Sequence, residues 1–393
     1  MTEHHTPIKV VVIGGGYAGT IAANHLRLHA DADITLVNPR PQFVERIRLH
    51  QFVARTGEAG VDYGSLLGTG VRLLVDSATH IDSTARQVRL ASGSTFGYDY
   101  LIYAVGSAGA TPTVPGADEF AYPISEYEHA GLLRTAVAAA AADAPLCVVG
   151  AGPTGLETAA ELAEEGRRVT LICGSVLGPY LSTRARRAAA KRMTKLGVTV
   201  IDGPGATVTE VLPDAVVLAD DRRVASAVTI WTVGFGVPDL AARSGLSTDG
   251  IGRLLTDETL TSVDDPRIVG AGDASAPSNL PLRMSCQAAI PLGAQAANTV
   301  LSRIAGTEPK PLNQAFTGQC ISLGRSVGLI QIAHLDDSVM PLYIGGRAAA
   351  TVKEAVCKGT VSFLSREARK PGSYFWLKGG KRGEKLAAQM VSS

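Results

Sequence analysis

The chain has 393 residues, of which 46% are hydrophobic and 19% charged, with a net charge of +1. This composition predicts a globular protein of two or three domains and excludes a disordered or collagen-like chain. A net charge near zero gives no field that would favour nucleic acid as a partner. No apolar run reaches the roughly 20 residues that span a bilayer. The first residues lack a secretory signal, so we expect a cytoplasmic protein.

Two segments repeat one pattern: an apolar run, a glycine turn, a helical stretch and a second apolar run. They occupy residues 9–37 and 146–172. Each is predicted to be a βαβ unit whose strands are buried on both faces. The predicted fold class is therefore α/β, with two dinucleotide-binding, Rossmann-like domains.

The segments between and after these units set the predicted domain order. Residues 71–103 alternate as short strands, 111–116 form a Pro/Gly-rich linker, and another apolar strand follows residue 251. The second unit is thus expected to be inserted in the first domain. The predicted domains are an FAD-type domain of residues 1–112 and 251–310, an NAD(P)H-type domain of residues 113–250, and a C-terminal α+β extension of residues 311–393 with a basic tail.

Both glycine turns have the GxGxxG spacing. The first glycine permits a tight turn, the second lets a pyrophosphate approach the backbone, and the third lets the helix pack on the strand. The phosphates then meet free N–H groups at the positive end of the helix. The first loop is Gly14, Gly16 and Gly19, with Tyr17 and Ala18 inside it; the second is Gly150, Gly152 and Gly155, with Pro153 and Thr154.

The ribose position departs from the usual pattern at both loops. An Asp or Glu about 20 residues past the glycines normally binds the ribose hydroxyls, but this chain has Asn38 and Cys173 there. Asn38 can still bond a hydroxyl. Without a carboxylate at Cys173, nothing there repels the 2′-phosphate of NADPH. Three arginines nearby could receive that phosphate or form a solvated helix face, so NADH and NADPH both stay open; they are Arg184, Arg186 and Arg187.

Further motifs carry a family resemblance. Residues 98–107 (YDYLIYAVGS), 230–234 (IWTVG) and 268–274 (IVGAGDA) follow the glycine loops in order. With them, residues 8–350 resemble the pyridine nucleotide–disulfide oxidoreductase superfamily. The branch is that of type II NADH:quinone dehydrogenases and apoptosis-inducing-factor-like quinone oxidoreductases.

The resemblance implies FAD at the first loop and NADH or NADPH at the second, with no metal. It implies that Asp273 bonds the flavin's ribityl chain and that Glu157 lies near the nicotinamide, although a charge matching the helix dipole would also explain Glu157. The other residues expected at FAD are Arg40, Arg46, Ala78, Ala104, Gly106, Gly272 and Gln287 together with Asn38 and the first loop. Cys173 and Gly234 join the second loop at NAD(P)H.

The positions of the cysteines limit which members of the superfamily the chain resembles. Five cysteines are scattered without CxxC or metal spacing, and residues 38–51 contain none. Reduced thiols and no dithiol relay are therefore expected. In the 38–51 segment, Arg46 and Arg48 could place positive charge near a reduced flavin or lie on the surface, and both interpretations stay open.

A helix starting near Ser285 is expected to aim its positive end at the flavin. Cys286 and Gln287 match the first half of the AQxxxQ pattern of type II dehydrogenases, so Gln287 is a candidate at the flavin and acceptor. Pro291 replaces the second glutamine and is expected to kink this helix. The geometry of the quinone site is therefore expected to differ.

The segment 353–386 has nine Lys/Arg against three Asp/Glu, with aromatic residues interleaved. This segment could contact the anionic inner face of the cell membrane. Alternatively, it could form a helix that packs on the body and has a solvated basic end. The sequence leaves open whether the protein forms a homodimer.

The reaction that the resemblance implies is hydride transfer from NAD(P)H to flavin, followed by two-electron reduction of a small-molecule acceptor. A quinone is the preferred candidate for that acceptor. The alternatives are a ferredoxin or rubredoxin reductase, a slow flavin redox sensor, and a flavoenzyme of specialised metabolism.

Overall fold

The computed structural model describes residues 7–392. Residues 1–6, part of the start on which the targeting expectation depends, lie outside the described residues. The strands are β1 Ile8–Ile13, β2 Ala32–Asn38, β3 Gln42–Val44, β4 Gly60–Asp62, β5 Val71–Val75, β6 Ala78–Asp82, β7 Gln87–Leu90, β8 Thr95–Gly97, β9 Tyr100–Tyr103, β10 Ala108–Gly109, β11 Ala121–Pro123, β12 Pro145–Val149, β13 Arg168–Ile172, β14 Thr199–Ile201, β15 Val208–Val211, β16 Ala215–Leu218, β17 Arg223–Ala225, β18 Val228–Trp231, β19 Phe235–Gly236, β20 Leu254–Thr256, β21 Ile268–Gly270, β22 Ser275–Pro277, β23 Gly318–Ser322, β24 Gly328–Ala333 and β25 Val339–Gly345. The helices are α1 Tyr17–His25, α2 Leu49–Ala54, α3 Ala117–Phe120, α4 Tyr127–Ala139, α5 Pro153–Glu164, α6 Thr183–Lys195, α7 Leu240–Arg243, α8 Cys286–Ile304, α9 Gly346–Arg369 and α10 Arg382–Ser392.

The first parallel sheet has the order β21-β9-β1-β2-β5. Its central strand β1 is apolar from Val10 to Ile13 because helices or other strands cover both faces. The strand β21 joins from far along the chain, after the whole second sheet.

The second parallel sheet has the order β11-β18-β12-β13-β14. All its strands lie between β9 and β21 in the chain. The second dinucleotide-type unit is therefore inserted in the first, which confirms the predicted fold class. The domain boundaries themselves stay a prediction.

The C-terminal extension is a three-stranded antiparallel sheet, β23-β24-β25, followed by α9 and α10. α9 packs on α1, where the buried Glu367 carboxylate lies 2.6 Å from His25 Nδ1. The helix that begins the predicted basic tail is thus packed on the body, whereas seven of the nine basic residues of the tail are exposed. Arg382, near its end, is paired with Glu258 at 2.6 Å.

The helix α8 contains Pro291, and the expected kink at that residue stays a prediction. It runs from Cys286 to Ile304 as one continuous element, with Pro291 inside it. A non-proline residue at 291 would donate to the Gln287 carbonyl, which here accepts from Gln314 Nε2 at 2.9 Å instead. A neighbouring side chain therefore replaces the hydrogen bond that proline removes.

Candidate functional site

The first glycine loop leaves open space at its centre. Gly14 has a φ of +101°, and a Cβ there would collide with the Ala104 carbonyl. A Cβ on Gly19 would collide with the Gly14 carbonyl, whereas a Cβ on Gly16 would meet nothing within 4 Å. α1 begins directly after Gly16 without a side-chain cap, so its first N–H groups point at this space.

The second loop repeats this geometry. Gly150 has a φ of +109°, a Cβ on Gly155 would collide with the Gly150 carbonyl, and a Cβ on Gly152 would meet nothing within 4 Å. Gly152 caps α5 without a side-chain bond, and Pro153 takes the first helical position. Tight first and third glycines around an open middle glycine fit a pyrophosphate against each helix start.

Asn38 lies at the first loop, but its amide is engaged by the protein. Its Oδ1 accepts from Gly15 N at 2.9 Å, and its Nδ2 donates to the Arg40 carbonyl at 2.8 Å. Tyr63 OH also donates to the Gly15 carbonyl, at 2.6 Å. The arrangement braces the loop from the side where an acidic residue would normally stand.

Asp273 is the centre of a hydrogen-bonded chain at the edge of the first sheet. Its Oδ2 accepts from the Ser107 hydroxyl at 2.7 Å, and its Oδ1 accepts from Ser285 N at 3.2 Å. Arg46 Nη1 donates to both oxygens of Ser107, at 2.8 Å and 2.9 Å. Burial raises the pKa of Asp273, against the lowering effect of Ser107 and Arg46. The structure thus joins Arg46, Asp273 and the start of α8.

The other predicted FAD residues lie around the same sheet edge. Ala104 and Gly106 follow β9, Gly272 follows β21, and Ala78 begins β6. Arg40 is held by Glu128, at 2.6 Å, and by Glu126, at 3.2 Å.

Arg48 is not a surface arginine. Its side chain is 11% exposed and pairs with Glu354 of α9 at 3.0 Å and with Glu45 at 3.3 Å. It ties the segment beside the first loop to the C-terminal extension.

Glu157, on α5, is buried in an ion-paired cluster. Its Oε1 lies 2.9 Å from Lys353 Nζ and accepts from Ser322 N at 3.0 Å. Its Oε2 lies 3.7 Å from His50 Nδ1. The cluster joins α2, α5, β23 and α9, so Lys353 belongs to this buried cluster and not to an exposed basic tail.

The charges of this cluster follow from burial and pairing. Burial alone would raise the pKa of Glu157, but Lys353, His50 and the Ser322 amide together hold that pKa below its usual value. Burial would lower the pKa of Lys353, and Glu157 raises it above its ordinary value. Burial lowers the pKa of His50 to about 4. At neutral pH the cluster is a carboxylate and an ammonium beside a neutral imidazole.

Gln287 lies in the first turn of α8, where its side-chain amide is 2.8 Å from the Thr317 hydroxyl. Arg283, just before this helix, pairs with Asp337 at 2.6 Å and lies over the Phe316 ring. Gln287 therefore links α8 to the segment that leads into β23. The predicted residues Gly234 and Cys173 follow β18 and β13, at the same sheet edge as the second loop.

Sequence reasoning missed Lys353, His50, Ser322 and Ser107 as members of these clusters. Ser107 ends the YDYLIYAVGS motif, so its place after β9 was a usable signal. Lys353 and His50 gave none, because each meets Glu157 only through tertiary packing. The described residues contain no group of three His, Cys, Asp or Glu side chains that could hold a metal.

Comparison with known proteins gives the family. The profile of the pyridine nucleotide-disulphide oxidoreductases matches residues 8–295. An NADH dehydrogenase-like protein of Mycobacterium tuberculosis is 31% identical over 327 residues, covering 75% of this chain and 80% of that protein. The type II NADH:quinone oxidoreductase Ndh of the same organism is 28% identical, covering 84% of this chain and 81% of its own length.

A solved structure agrees at the level of fold. The sulfide:quinone oxidoreductase of Aquifex aeolicus superposes with a TM-score of 0.79 at 20% identity, covering 98% of this chain and 96% of that one. The chain belongs to the pyridine nucleotide-disulphide oxidoreductase family, as the sequence motifs predicted. It is therefore an oxidoreductase of that family.

Proposed function

We propose that this protein is an FAD-dependent NAD(P)H dehydrogenase that reduces a quinone. The observation that carries the proposal is the pair of uncapped helix starts, α1 and α5, each with an open middle glycine. Two such cradles in one chain suit two dinucleotides, one resident and one exchanging.

The first cradle suits FAD. Gly16 and the start of α1 would receive the pyrophosphate, while Asp273, held by Ser107 and Ser285 N, would accept a hydrogen bond from the ribityl chain. The bound flavin supplies hydride acceptance and two-electron transfer. The start of α8 adds positive partial charge near Asp273, and Arg46 adds a full charge through Ser107.

The second cradle suits NAD(P)H, with the pyrophosphate at Gly152 and the start of α5. Glu157 is one turn into that helix, and its carboxylate is already engaged by Lys353 and Ser322. We assign Glu157 a positioning role: it fixes Lys353, and with it α9, against the nucleotide-binding helix. The side chain does not need to exchange a proton with NAD(P)H.

Quinone as the acceptor is supported by likeness to Ndh over most of the chain. The helix α9 and the segment after it also carry exposed apolar side chains. On α9, Val352, Val356 and Phe363 are 44%, 42% and 40% exposed, and Phe375 is exposed close to the end of that helix. No helix among the described residues is long and apolar enough to cross a membrane. We propose that this α9 face rests on a membrane that holds the quinone.

The test is anaerobic reduction of the purified protein by NADH and by NADPH, followed by steady-state turnover with a soluble quinone, a ferredoxin or no acceptor. The proposal expects rapid bleaching of the flavin and turnover with quinone. Bleaching within minutes but no turnover with any acceptor would favour a redox sensor. Turnover with ferredoxin alone would replace quinone as the acceptor.

A further inference from the structure

The strand beside the second nucleotide loop ends in a carboxylate. β13 and β14 are parallel neighbours with Ile172 opposite Ile201, and Cys173 N donates to the Ile201 carbonyl at 2.8 Å. The next residue of β14's chain is Asp202. Cys173 and Asp202 therefore stand at the same level of the sheet edge, about 5 Å apart in the backbone.

The nucleotide loop lies on this edge too, because Gly150 N donates to the Ile172 carbonyl at 2.8 Å. Across the edge, the order is the glycine loop after β12, then Cys173, then Asp202. A dinucleotide on the loop extends its adenosine over the end of the middle strand. Its 2′ position would then lie over Cys173, with Asp202 on the far side.

Among the described residues, the Asp202 carboxylate has no partner that would keep it from interacting with a nucleotide at this sheet edge. It is exposed and, within residues 7–392, forms no hydrogen bond or ion pair through its side chain. Burial and, after it, the negative charge of Asp202 raise the pKa of the neighbouring Cys173 thiol to about 12.

The arginines that follow Cys173 do not neutralise this carboxylate. Arg184 and Arg187 are exposed on α6, and Arg186 Nη2 donates to the Leu181 carbonyl at 3.4 Å. None of the three forms an ion pair with Asp202 in the described part of the chain. These arginines therefore leave the Asp202 carboxylate beside Cys173 unpaired.

We propose that Asp202 supplies the carboxylate that selects NADH over NADPH, from the strand next to the one that normally carries it. The inference rests on the proposed NAD(P)H site at the Gly150–Gly155 loop. Salt of physiological strength screens charges only beyond roughly 8 Å, and the Asp202 backbone lies about 5 Å from that of Cys173. The carboxylate would therefore repel a 2′-phosphate placed over Cys173, and it could accept a hydrogen bond from the ribose hydroxyl of NADH.

The test is isothermal titration of the FAD-loaded protein with NAD⁺ and with NADP⁺. The wild type is expected to bind NAD⁺ about tenfold more tightly or better. Asp202→Asn should bring the two affinities within about threefold, chiefly by tightening NADP⁺. The control is Glu210→Gln, which removes another exposed carboxylate, on β15, and should leave the ratio unchanged. In the wild type, the ratio should also fall as salt is raised.

The outcomes separate this inference from the proposed function. Binding of both nucleotides with a ratio that Asp202→Asn does not change, or tighter NADP⁺ binding by the wild type, overturns the role of Asp202 and leaves the NAD(P)H site standing. Absence of binding by either nucleotide overturns both. If Asp202→Asn changes the ratio of the two affinities as expected but the protein never reduces quinone, the role of Asp202 is supported. Only the proposal that quinone is the acceptor is then rejected.

Discussion

Replacing Lys353 by methionine tests the buried ion pair that joins the nucleotide-binding helix to the C-terminal extension. Lys353 and Glu157 are 12% and 8% exposed, and their charged atoms are 2.9 Å apart. Lys353→Met leaves the Glu157 carboxylate buried beside a neutral imidazole. Removing one partner of a buried pair typically costs about 3–5 kcal/mol. Glu157→Gln in the same chain should recover most of that loss.

The direction in which pH changes the stability follows from the pKa shifts of the two partners. In the wild type the pKa of Glu157 is lowered and that of Lys353 is raised, from 4.5 and 10.5. The pair therefore stabilises the fold fully between these values. It loses that stabilisation as the pH falls through the folded value of Glu157 or rises through that of Lys353. In Lys353→Met, burial raises the pKa of Glu157, so the deficit should be large at pH 8 and smaller near pH 5.

The assay is urea-induced unfolding of the single and double variants, followed by circular dichroism. The matched control is Lys358→Met, on the same helix, because Lys358 is 73% exposed and lies 3.7 Å from Glu354. It should cost less than about 1 kcal/mol. If Lys353→Met were as mild as this control at pH 8, the reasoning on the buried pair would be wrong.

Three further predictions concern the first glycine loop, the buried His50 and the exposed face of α9. Gly16→Val should fold but lose FAD affinity about a hundredfold, because its side chain fills the open cradle; flavin content against circular dichroism checks this, and normal flavin content would contradict it. The pKa of His50 falls from 6.5 to about 4, so its neutral form contributes about 3 kcal/mol above pH 6.5 that is lost as the pH falls towards 4. His50→Gln should flatten that slope in urea titrations, and an unchanged slope would refute the assignment. Phe363→Ser should weaken binding to anionic lipid vesicles in a sedimentation assay, while Leu132→Ser, at an even more exposed apolar position on α4, should not; equal effects would reject the proposed α9 face.

Local sequence patterns predicted the two parallel sheets and both glycine loops well. The apolar runs and the glycine spacing act within about 30 residues, a range in which sequence periodicity reports structure directly. The insertion of the second unit followed from the order of the motifs, because β21 had to return to the sheet that β1 begins.

Contacts between segments that are distant in the chain could not be predicted from the sequence. Lys353 reads as one of nine basic residues in a terminal segment, and only the packing of α9 brings it to Glu157. Pro291 removes one backbone hydrogen bond from α8, and Gln314, from another segment, supplies a replacement. Cys173 drew attention at the ribose position, but the order of the strands places Asp202 beside it. In each case the decisive neighbour lies on another element.

We propose that the chain holds FAD and accepts hydride from NAD(P)H. A visible absorption spectrum of the purified protein, taken before and after anaerobic addition of NADH, tests both parts of this proposal. We expect a bound flavin spectrum whose visible band bleaches when NADH is added. A colourless protein that takes up no FAD, or a bound flavin that neither NADH nor NADPH reduces, would contradict it.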